Sequence, residues 1–345
     1  MSDDNMGYDY GQSERKKKHP VRATIITLLA LVVIAAVVAG GYLFSLAKSF
    51  DTKSQTIESA FPAESARPEK SDTGAKNILL LGSDSRGGSG ETENLAGVPN
   101  AGRSDTIMLV HIPADRKDVF VTSIMRDTWV PIPGKGTHKI NAAFSYGGVP
   151  KAVQTIETLL DTRIDHVASI DMEGFKGLTD ALGGVDINVP IGFTTNNGHR
   201  DFSFSAGMQH MDGEEALAFV RERKSFKDGD YQRVKDQQIF LKAVVNKLLA
   251  RDTLTNPVKI SNIVNELSPY VSVDDSLDAA ELGQLGLSLA GVRGNDLHFF
   301  TLPNLGVGRS NDGQSIVLPD NDAIDELAAA LQDDTVDEFV RTHGL

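Results

Sequence analysis

Three short apolar runs lie close together between Asn77 and Trp129, and they constrain the fold more than any other feature of the chain. The runs Asn77–Leu81, Thr106–Ile112 and Val119–Ile124 are rich in Val, Ile and Leu, and Gly, Pro, Asp or Ser bound them. Such runs are typical of buried β-strands. The second connection, Pro113–Asp118, is short enough for a hairpin. We therefore expect three neighbouring strands that run up, down and up.

Charged residues stand where these predicted strands meet one edge of the sheet. The end of the first strand, the start of the second and the end of the third each carry an acid and an arginine: Asp84 and Arg86, Arg103 and Asp105, and Arg126 and Asp127. The planar guanidinium suits phosphate, and carboxylate oxygens suit Mg²⁺. The pattern predicts a site for a metal-bound phosphate or pyrophosphate. A solvated, salt-bridged sheet edge is the alternative interpretation.

Composition excludes several classes of function. The 345 residues carry a net charge of −13, and none is cysteine. So acidic a chain lacks the basic surface that general nucleic-acid binding needs. The absence of cysteine excludes disulfide scaffolds, thiol nucleophiles and thiolate metal sites. The 8 histidines show no HExxH or similar spacing, so a zinc site is not expected.

The stretch Ala23–Ala47 contains no charged residue and follows a basic cluster, Arg15–Lys18 and Arg22. As a helix it would be about 37 Å long, enough to cross a hydrocarbon core of about 30 Å. A cleaved signal peptide is the alternative, but the run exceeds the usual apolar region of such peptides, and no small-residue cleavage site is clear before Lys48. The position of the basic cluster predicts a cytoplasmic N-terminus and a body outside the membrane.

The rest of the chain divides into segments of different character. Strand-like and helix-like runs alternate from Asn77 onward, which predicts an α/β domain with helices on both faces of the sheet. The predicted segments are a cytoplasmic tail (1–22), a transmembrane helix (23–47), a linker without periodicity (48–76), the folded domain (77–332) and a C-terminal tail (333–345). The predicted helices are Pro150–Leu160, Met172–Leu182, Gly213–Val220, Tyr231–Ala250, Asp278–Ala290 and Asp320–Leu331.

A second group of basic residues follows Ala218. Arg221 and Arg223 are two positions apart, which gives them one face of an extended segment. Arg233 and Gln237 are four positions apart, so they share a face of a helix. A solvent-facing charged helix is the alternative interpretation of this group.

Five motifs occur in a fixed order: GSDSR, GRSDT, SIMRDTWV with HKINAA, and FVRER followed by GDYQR and QQ. Together they resemble the LytR–CpsA–Psr family of cell-wall ligases, in particular its actinobacterial members, over nearly all of Asn77–Leu331. One position departs from the pattern. The family's last motif usually reads Arg-x-x-Arg-Gln-Gln, whereas Asp236 stands here in place of a basic residue.

The resemblance implies an extracytoplasmic phosphotransferase. Its donor would be a polyprenyl-pyrophosphate-linked glycopolymer, its acceptor a peptidoglycan sugar hydroxyl, and its product a phosphodiester. The implied fold is a three-layer α-β-α domain with a central mixed sheet and an apolar tunnel for the lipid, here preceded by one N-terminal transmembrane helix. Phosphoryl transfer of this kind depends on positioning and charge neutralisation. Teichoic acid, arabinogalactan and capsule all remain open as the polymer.

The resemblance also implies roles for individual residues. Asp84 and Asp105 would hold Mg²⁺, with Mn²⁺ as the alternative ion, and either Asp105 or Asp127 would accept the proton of the acceptor hydroxyl. The implied catalytic residues are Asp84, Arg103, Asp105, Arg126 and Asp127, and the implied substrate-binding residues are Arg86, Lys139, Asn141, Arg221, Arg223, Arg233 and Gln237. Two other classes stay open: a hydrolase of the same lipid pyrophosphate, and a non-catalytic, membrane-anchored binding or regulatory protein that needs no metal.

Overall fold

A seven-stranded mixed sheet organises the computed structural model, which describes residues 39–83, 104–195 and 201–345. The strands are β1 (Gln55–Thr56), β2 (Lys76–Ser83), β3 (Ser104–Ile112), β4 (Val119–Ile124), β5 (Trp129–Ile132), β6 (Gly136–Lys139), β7 (His166–Ile170), β8 (Val185–Val189), β9 (Phe193–Thr194), β10 (Ser203–Phe204), β11 (Gly207–Met211), β12 (Val271–Val273), β13 (Leu297–Thr301), β14 (Asn304–Arg309) and β15 (Ser315–Pro319). The main sheet has the order β1-β12-β7-β2-β3-β4-β13. Its strand β3 is antiparallel to β2 and β4, so the predicted up, down and up arrangement is confirmed.

Each of the six helices predicted for the folded domain coincides with a helix of the structure; helices at residues 251–254, 257–267 and 336–343 were not predicted, and the helix at 39–53 overlaps the predicted membrane span only over residues 39–47. The helices are α1 (residues 39–53 of the described chain), α2 (Ala142–Leu160), α3 (Met172–Ala181), α4 (Gly213–Arg221), α5 (Asp230–Leu248), α6 (Arg251–Leu254), α7 (Pro257–Leu267), α8 (Ala279–Ser288), α9 (Asn321–Gln332) and α10 (Val336–His343). Aspartates at 171, 212, 278 and 320 accept hydrogen bonds from first-turn N–H groups, which explains why α3, α4, α8 and α9 begin there. Helix α2 begins earlier than predicted because it continues through a kink at Gly147 and Gly148.

Helices cover both faces of the sheet. Leu79 and Leu81 of β2 pack with α2, α9 and α10 in one buried cluster. Ile78 and Leu80, which alternate with them, pack on the other face with residues of α5 and α8. Because successive strand residues point to opposite faces, one strand serves two cores. An α/β fold with a central mixed sheet is thereby confirmed.

The prediction of a linker over 48–76 is wrong, because this segment is part of the folded unit Leu46–Leu345. Strand β1 pairs in parallel with β12 at the edge of the sheet, and Ile57 is only 1% exposed. Further on, Arg67 Nη2 lies 2.6 Å from Glu157 Oε1 in a buried ion pair. The two residues of β1 are too few to produce a period in the sequence.

The prediction of a C-terminal tail over 333–345 is also wrong. Helix α10 occupies most of that segment, and its residues Val336, Phe339 and Val340 belong to the core on the α2 side of the sheet. Their spacing gives one apolar face to the helix. The folded unit therefore continues through α10.

The predicted cytoplasmic tail, residues 1–22, lies wholly outside the described residues. The predicted membrane span Ala23–Ala47 lies outside them except for residues 39–47. Within the described ranges, no helix combines the length and apolarity that crossing a bilayer requires.

Candidate active site

At one end of the main sheet, four strands (β2, β4, β7 and β13) end and one strand (β3) begins. In the register, Gly82 of β2 faces Thr106 of β3 and Ile170 of β7. The approach of β2 to β3 is close, since a Cβ at position 82 would lie 2.8 Å from the Thr106 Cβ. The ends of β4 and β13 reach the same edge. The predicted convergence at this edge, hereafter the active edge, is confirmed for the backbone of the described strands.

Part of the predicted site lies outside the described residues. This applies to Asp84, Arg86 and Arg103, and to the side chain of Asp105, whose backbone belongs to β3. In the register, Ser83 faces Ser104 and Gly82 faces Thr106, so the backbone of Asp105 occupies the irregularity between these two pairs.

An ion-pair network, which we call the arginine cluster, follows the end of β4. Its members are Arg126, Asp127, Lys139, Arg223, Asp230 and Arg233. Asp230 is the centre: its Oδ2 lies 3.4 Å from Arg126 Nε and 3.2 Å from Arg233 Nη2, and its Oδ1 lies 3.5 Å from Arg223 Nη1. Three guanidinium groups, separated by up to 107 positions in the chain, thus share one carboxylate.

Asp127 forms the second anionic point of the arginine cluster. Its Oδ1 lies 2.8 Å from Lys139 Nζ, and its Oδ2 lies 3.5 Å from Arg126 Nε. Burial raises the pKa of Asp127, but the hydrogen bond and charge of Lys139 and the charge of Arg126 outweigh burial, so the net shift is downward. Asp127 is therefore an ionised carboxylate at neutral pH.

Backbone hydrogen bonds hold Arg126 and Asp127 in place. The N–H of Asn141 donates to Arg126 O at 3.2 Å, and the N–H of Val317 donates to Asp127 O at 2.9 Å. Thr128 closes the turn, since its N–H and its hydroxyl both donate to Met125 O. The two charged residues are thus held by the segment after β6 and by β15, both of which lie outside the main sheet.

The structure places the other predicted residues around the arginine cluster. Asn141 adjoins it through the backbone contact to Arg126, and Gln237 Nε2 donates to Val220 O at 3.5 Å. Arg221, at the end of α4, lies on the side of β7, where its Nη1 is 3.1 Å from Met172 Sδ. The prediction that Arg221 and Arg223 share one face of an extended segment is therefore wrong, because Arg221 belongs to α4 and Arg223 contacts Asp230 instead.

Sequence reasoning missed Asp230 as a site residue. It stands in the GDYQR motif, but as an acid in the first turn of a helix it reads as a favourable partner of the helix dipole. Only contacts to Arg126 and Arg223, from elsewhere in the chain, show its position at the centre of the arginine cluster.

Asp236, the departure from the family pattern, is a buried residue of α5 that is 1% exposed. Its Oδ1 accepts a hydrogen bond of 2.9 Å from Gln232 Nε2, while its Oδ2 has no hydrogen-bond partner among the described residues. Burial raises its pKa to about 7. Its hydrogen-bond partner is thus an amide, not one of the arginines.

An open, mainly apolar cavity of about 480 Å³ lies along α5, and its lining includes Ile191, Ile239, Leu297 and Phe299. Gln238 also lines it and donates at 3.0 Å to Ser123 Oγ at the end of β4. Helix α5 therefore joins the cavity to the active edge. The volume is in the usual range of ligand clefts.

Metal binding is not visible in the described part of the chain, where no three His, Asp or Glu side chains group closely enough to hold an ion. The residues predicted to hold Mg²⁺ are Asp84 and Asp105, whose side chains are outside that part. The magnesium site therefore stays a prediction.

The sequence matches the model of the LytR_cpsA_psr family over residues 42–333, and the chain belongs to this family. The polyisoprenyl-teichoic acid–peptidoglycan teichoic acid transferase TagU of Bacillus mycoides is 35% identical over 64% of this chain and 69% of its own length. The cell wall biosynthesis protein LcpA of Corynebacterium glutamicum is 29% identical over 90% of this chain and 65% of its own. The crystal structure of B. subtilis TagV superposes with a TM-score of 0.64 at 27% identity, covering 77% of this chain and 98% of TagV. The resemblance seen in the five motifs is confirmed.

Proposed function

We propose that this protein is a membrane-anchored phosphotransferase that moves a glycopolymer from a polyprenyl-pyrophosphate carrier to peptidoglycan. The observation that carries the proposal is the arginine cluster, in which four cations surround two carboxylates at the active edge. Such an excess of positive charge suits a pyrophosphate, because guanidinium groups bind its oxygens through short, charge-assisted hydrogen bonds. The names of the TagU relatives, which specify a polyisoprenyl-linked donor and a peptidoglycan acceptor, support this choice of substrate.

In this reaction an acceptor hydroxyl attacks the phosphorus that bears the glycopolymer. A new P–O bond forms, the bond to the bridging oxygen breaks, and polyprenyl phosphate leaves. Arg126, Arg223 and Arg233 neutralise the oxygens on which negative charge accumulates, and Asp230 keeps the three guanidinium groups oriented before the donor arrives. Positioning and charge neutralisation of this kind account for most of the catalysis of phosphoryl transfer.

The proton of the acceptor hydroxyl passes to a carboxylate. Asp127 is ionised at neutral pH and lies within the arginine cluster, which fits it for this role. Asp105, at the start of β3, is the other candidate. Asp84 and Asp105 would also hold a divalent cation, Mg²⁺ or Mn²⁺, which when bound supplies further neutralisation of the pyrophosphate.

The lipid and the membrane complete the proposal. The apolar cavity along α5 would take part of the polyprenyl chain, since the same helix carries Asp230 and Arg233 at its N-terminal end. The uncharged stretch Ala23–Ala47 would anchor the chain in the membrane that holds the donor, with the N-terminus in the cytoplasm and the folded unit on the cell-wall side.

The test uses the full-length protein with a short-chain polyprenyl-pyrophosphate saccharide as donor and peptidoglycan glycan strands as acceptor. We expect a phosphodiester-linked product by mass spectrometry, formed only when the acceptor is present and lost in Arg126→Ala. Equal release of polyprenyl phosphate with and without acceptor would instead identify a hydrolase. Absence of any turnover, with donor binding intact, would indicate a non-catalytic binding protein.

A further inference from the structure

Three aromatic rings, which we call the aromatic row, lie side by side on the β5–β6 hairpin and on α2. The Trp129 and His138 ring centroids are 6.1 Å apart in an edge-on arrangement, and the His138 and Tyr146 centroids are 5.3 Å apart. The Tyr146 hydroxyl lies 3.4 Å from His138 Nε2. Tyr146 remains 41% exposed, and the other two residues are half-buried. The ring planes are inclined by 62° between Trp129 and His138 and by 59° between His138 and Tyr146, and solvent reaches part of each ring.

The aromatic row begins beside the arginine cluster. Trp129 stands two positions after Asp127, and in the hairpin register it faces Lys139. The ammonium group of that lysine contacts Asp127 Oδ1 at 2.8 Å. Facing residues of an antiparallel pair lie about 4.5–5.5 Å apart at Cβ. A molecule on the aromatic row is therefore next to the carboxylate that we propose as a proton acceptor.

The hairpin that carries the row is well fixed. Val130 and Ile132 of β5 are buried in the core, and the N–H of Lys135 closes the turn on Ile132 O at 2.9 Å. Gly134 and Gly136 have φ values of 74° and 83°, which the turn requires and which only glycine adopts without strain. A surface on such a rigid hairpin loses little conformational entropy when a ligand binds.

The kink of α2 places the third ring. Gly147 and Gly148 interrupt the helix directly after Tyr146, with φ and ψ of 63° and −154° at Gly148. The first turn of α2 thus takes a different direction from the rest and carries Tyr146 to His138. Lys135 connects these rings: its ammonium lies over the Tyr146 ring, 5.5 Å from the centroid, and its carbonyl oxygen accepts a hydrogen bond of 3.0 Å from His138 Nε2.

An aromatic surface with a polar border has the chemistry of a sugar-binding subsite. One face of a pyranose ring presents C–H groups with partial positive charge, and the face of an aromatic ring is negative. Hydroxyl and acetamido groups of the sugar then meet the Lys135 ammonium and the Tyr146 hydroxyl. We infer that the aromatic row binds the acceptor glycan, a β-1,4-linked N-acetylhexosamine chain, and presents its hydroxyl towards Asp127. The identity of the acceptor rests on the proposed function; the saccharide site itself rests on the rings.

The chain has 1 tryptophan, so its fluorescence reports on the aromatic row alone. The full-length protein is titrated with the β-1,4-linked tetramer of N-acetylglucosamine. We expect a saturable change of Trp129 emission, an affinity at least about tenfold weaker in Tyr146→Leu, and near wild-type affinity in Tyr146→Phe, which keeps the ring. The matched control is Tyr270→Leu, because Tyr270 is 37% exposed and lies in a different part of the fold.

Transfer kinetics separate this inference from the proposed function. Tyr146→Leu should raise the KM for the acceptor while donor binding stays unchanged, whereas Arg126→Ala should weaken donor binding and leave the tetramer titration unchanged. If the wild type transfers the polymer but the tetramer gives no saturable signal, or if Tyr146→Leu binds as the wild type does, the inference falls and the function stands. If the tetramer binds in a Tyr146-dependent manner but no donor binds, the function falls and the saccharide site stands.

Discussion

Charged residues are arranged differently at the two ends of the strands in the main sheet. At the edge away from the active edge, Glu157 accepts hydrogen bonds from Arg67 Nε and Nη2 at 3.0 and 2.6 Å and from the Ile164 N–H at 3.0 Å. One cation and one anion compensate each other there at short range. In the arginine cluster, four cations share two carboxylates at distances of 2.8–3.5 Å. The first arrangement is complete as a structural pair, and the second leaves capacity for an anionic ligand.

The largest effect is expected at the structural pair. Arg67→Met leaves Glu157 buried without its cation, and breaking one side of a buried pair costs about 3–5 kcal/mol. Urea unfolding should show this loss, while donor affinity per folded molecule stays unchanged. The double variant Arg67→Met/Glu157→Leu is the control, since it removes both charges and should recover much of the stability. A loss below about 1 kcal/mol in the single variant would contradict the comparison.

Asp236 is as buried as Glu157 but forms no ion pair within 4 Å among the described residues, which makes it a second point of comparison. Its pKa of about 7 in the folded chain lies above the unfolded value of about 3.9. Stability from the retained proton is therefore fully present below about pH 4 and is lost as pH rises to about 7, by roughly 4 kcal/mol in total. Asp236→Asn should flatten this dependence.

The measurement for Asp236 is the unfolding free energy of wild type and Asp236→Asn between pH 4 and 8.5. The difference should grow in favour of the variant as pH rises. Asp325→Asn, which changes an exposed acid of α9, serves as the control. A difference that is constant with pH would mean that Asp236 titrates normally.

Lysine substitutions probe the arginine cluster itself. Arg126→Lys and Arg223→Lys keep the charge but lose the planar fork, and each lost charge-assisted bond is worth about 1.5–3 kcal/mol. Affinity for a short-chain polyprenyl pyrophosphate should fall about tenfold or more in each, with little change in unfolding. The double variant should depart from additivity, because both side chains share Asp230. Small, strictly additive effects would separate the two arginines into independent surfaces.

The smallest expected effect concerns the proton acceptor. Lys139 is a main cause of the lowered pKa of Asp127, so Lys139→Met should move the acidic limb of the kcat profile to higher pH. When rates are normalised to the alkaline plateau, activity at low pH is then lost at a higher pH than in the wild type. An unmoved acidic limb would assign the proton to Asp105 instead. Lys117→Met, at an exposed lysine in the turn between β3 and β4, is the control.

Local signals explain which parts of the fold could be predicted from sequence. Strands β2, β3 and β4 are continuous apolar runs joined in order, so their pairing and the active edge follow from short-range patterns. Helix α10 also had a readable signal in the spacing of Val336, Phe339 and Val340. Strand β1 had none, because its pairing with β12 depends on residues more than two hundred positions away.

The candidate site divides in the same way. The arginines could be singled out by residue type and motif, but the central position of Asp230 depends on contacts across most of the folded unit. The aromatic row was missed for a related reason: Trp129, His138 and Tyr146 come from a hairpin and from a kinked helix that no periodicity marks.

Gly82 fixes the separation of β2 and β3 at the point where the loop between them begins. The loop between β2 and β3 can change in length at small entropic cost, about 0.6 kcal/mol per doubling. The distance between the two stems of that loop cannot follow such changes, since it is fixed by the contact of a bare Cα with Thr106. Homologous proteins can therefore exchange the loop for one of another length or sequence and still begin and end it at the same separation. The length of the loop is thus decoupled from the separation of Ser83 and Ser104, the described residues at which the loop begins and ends.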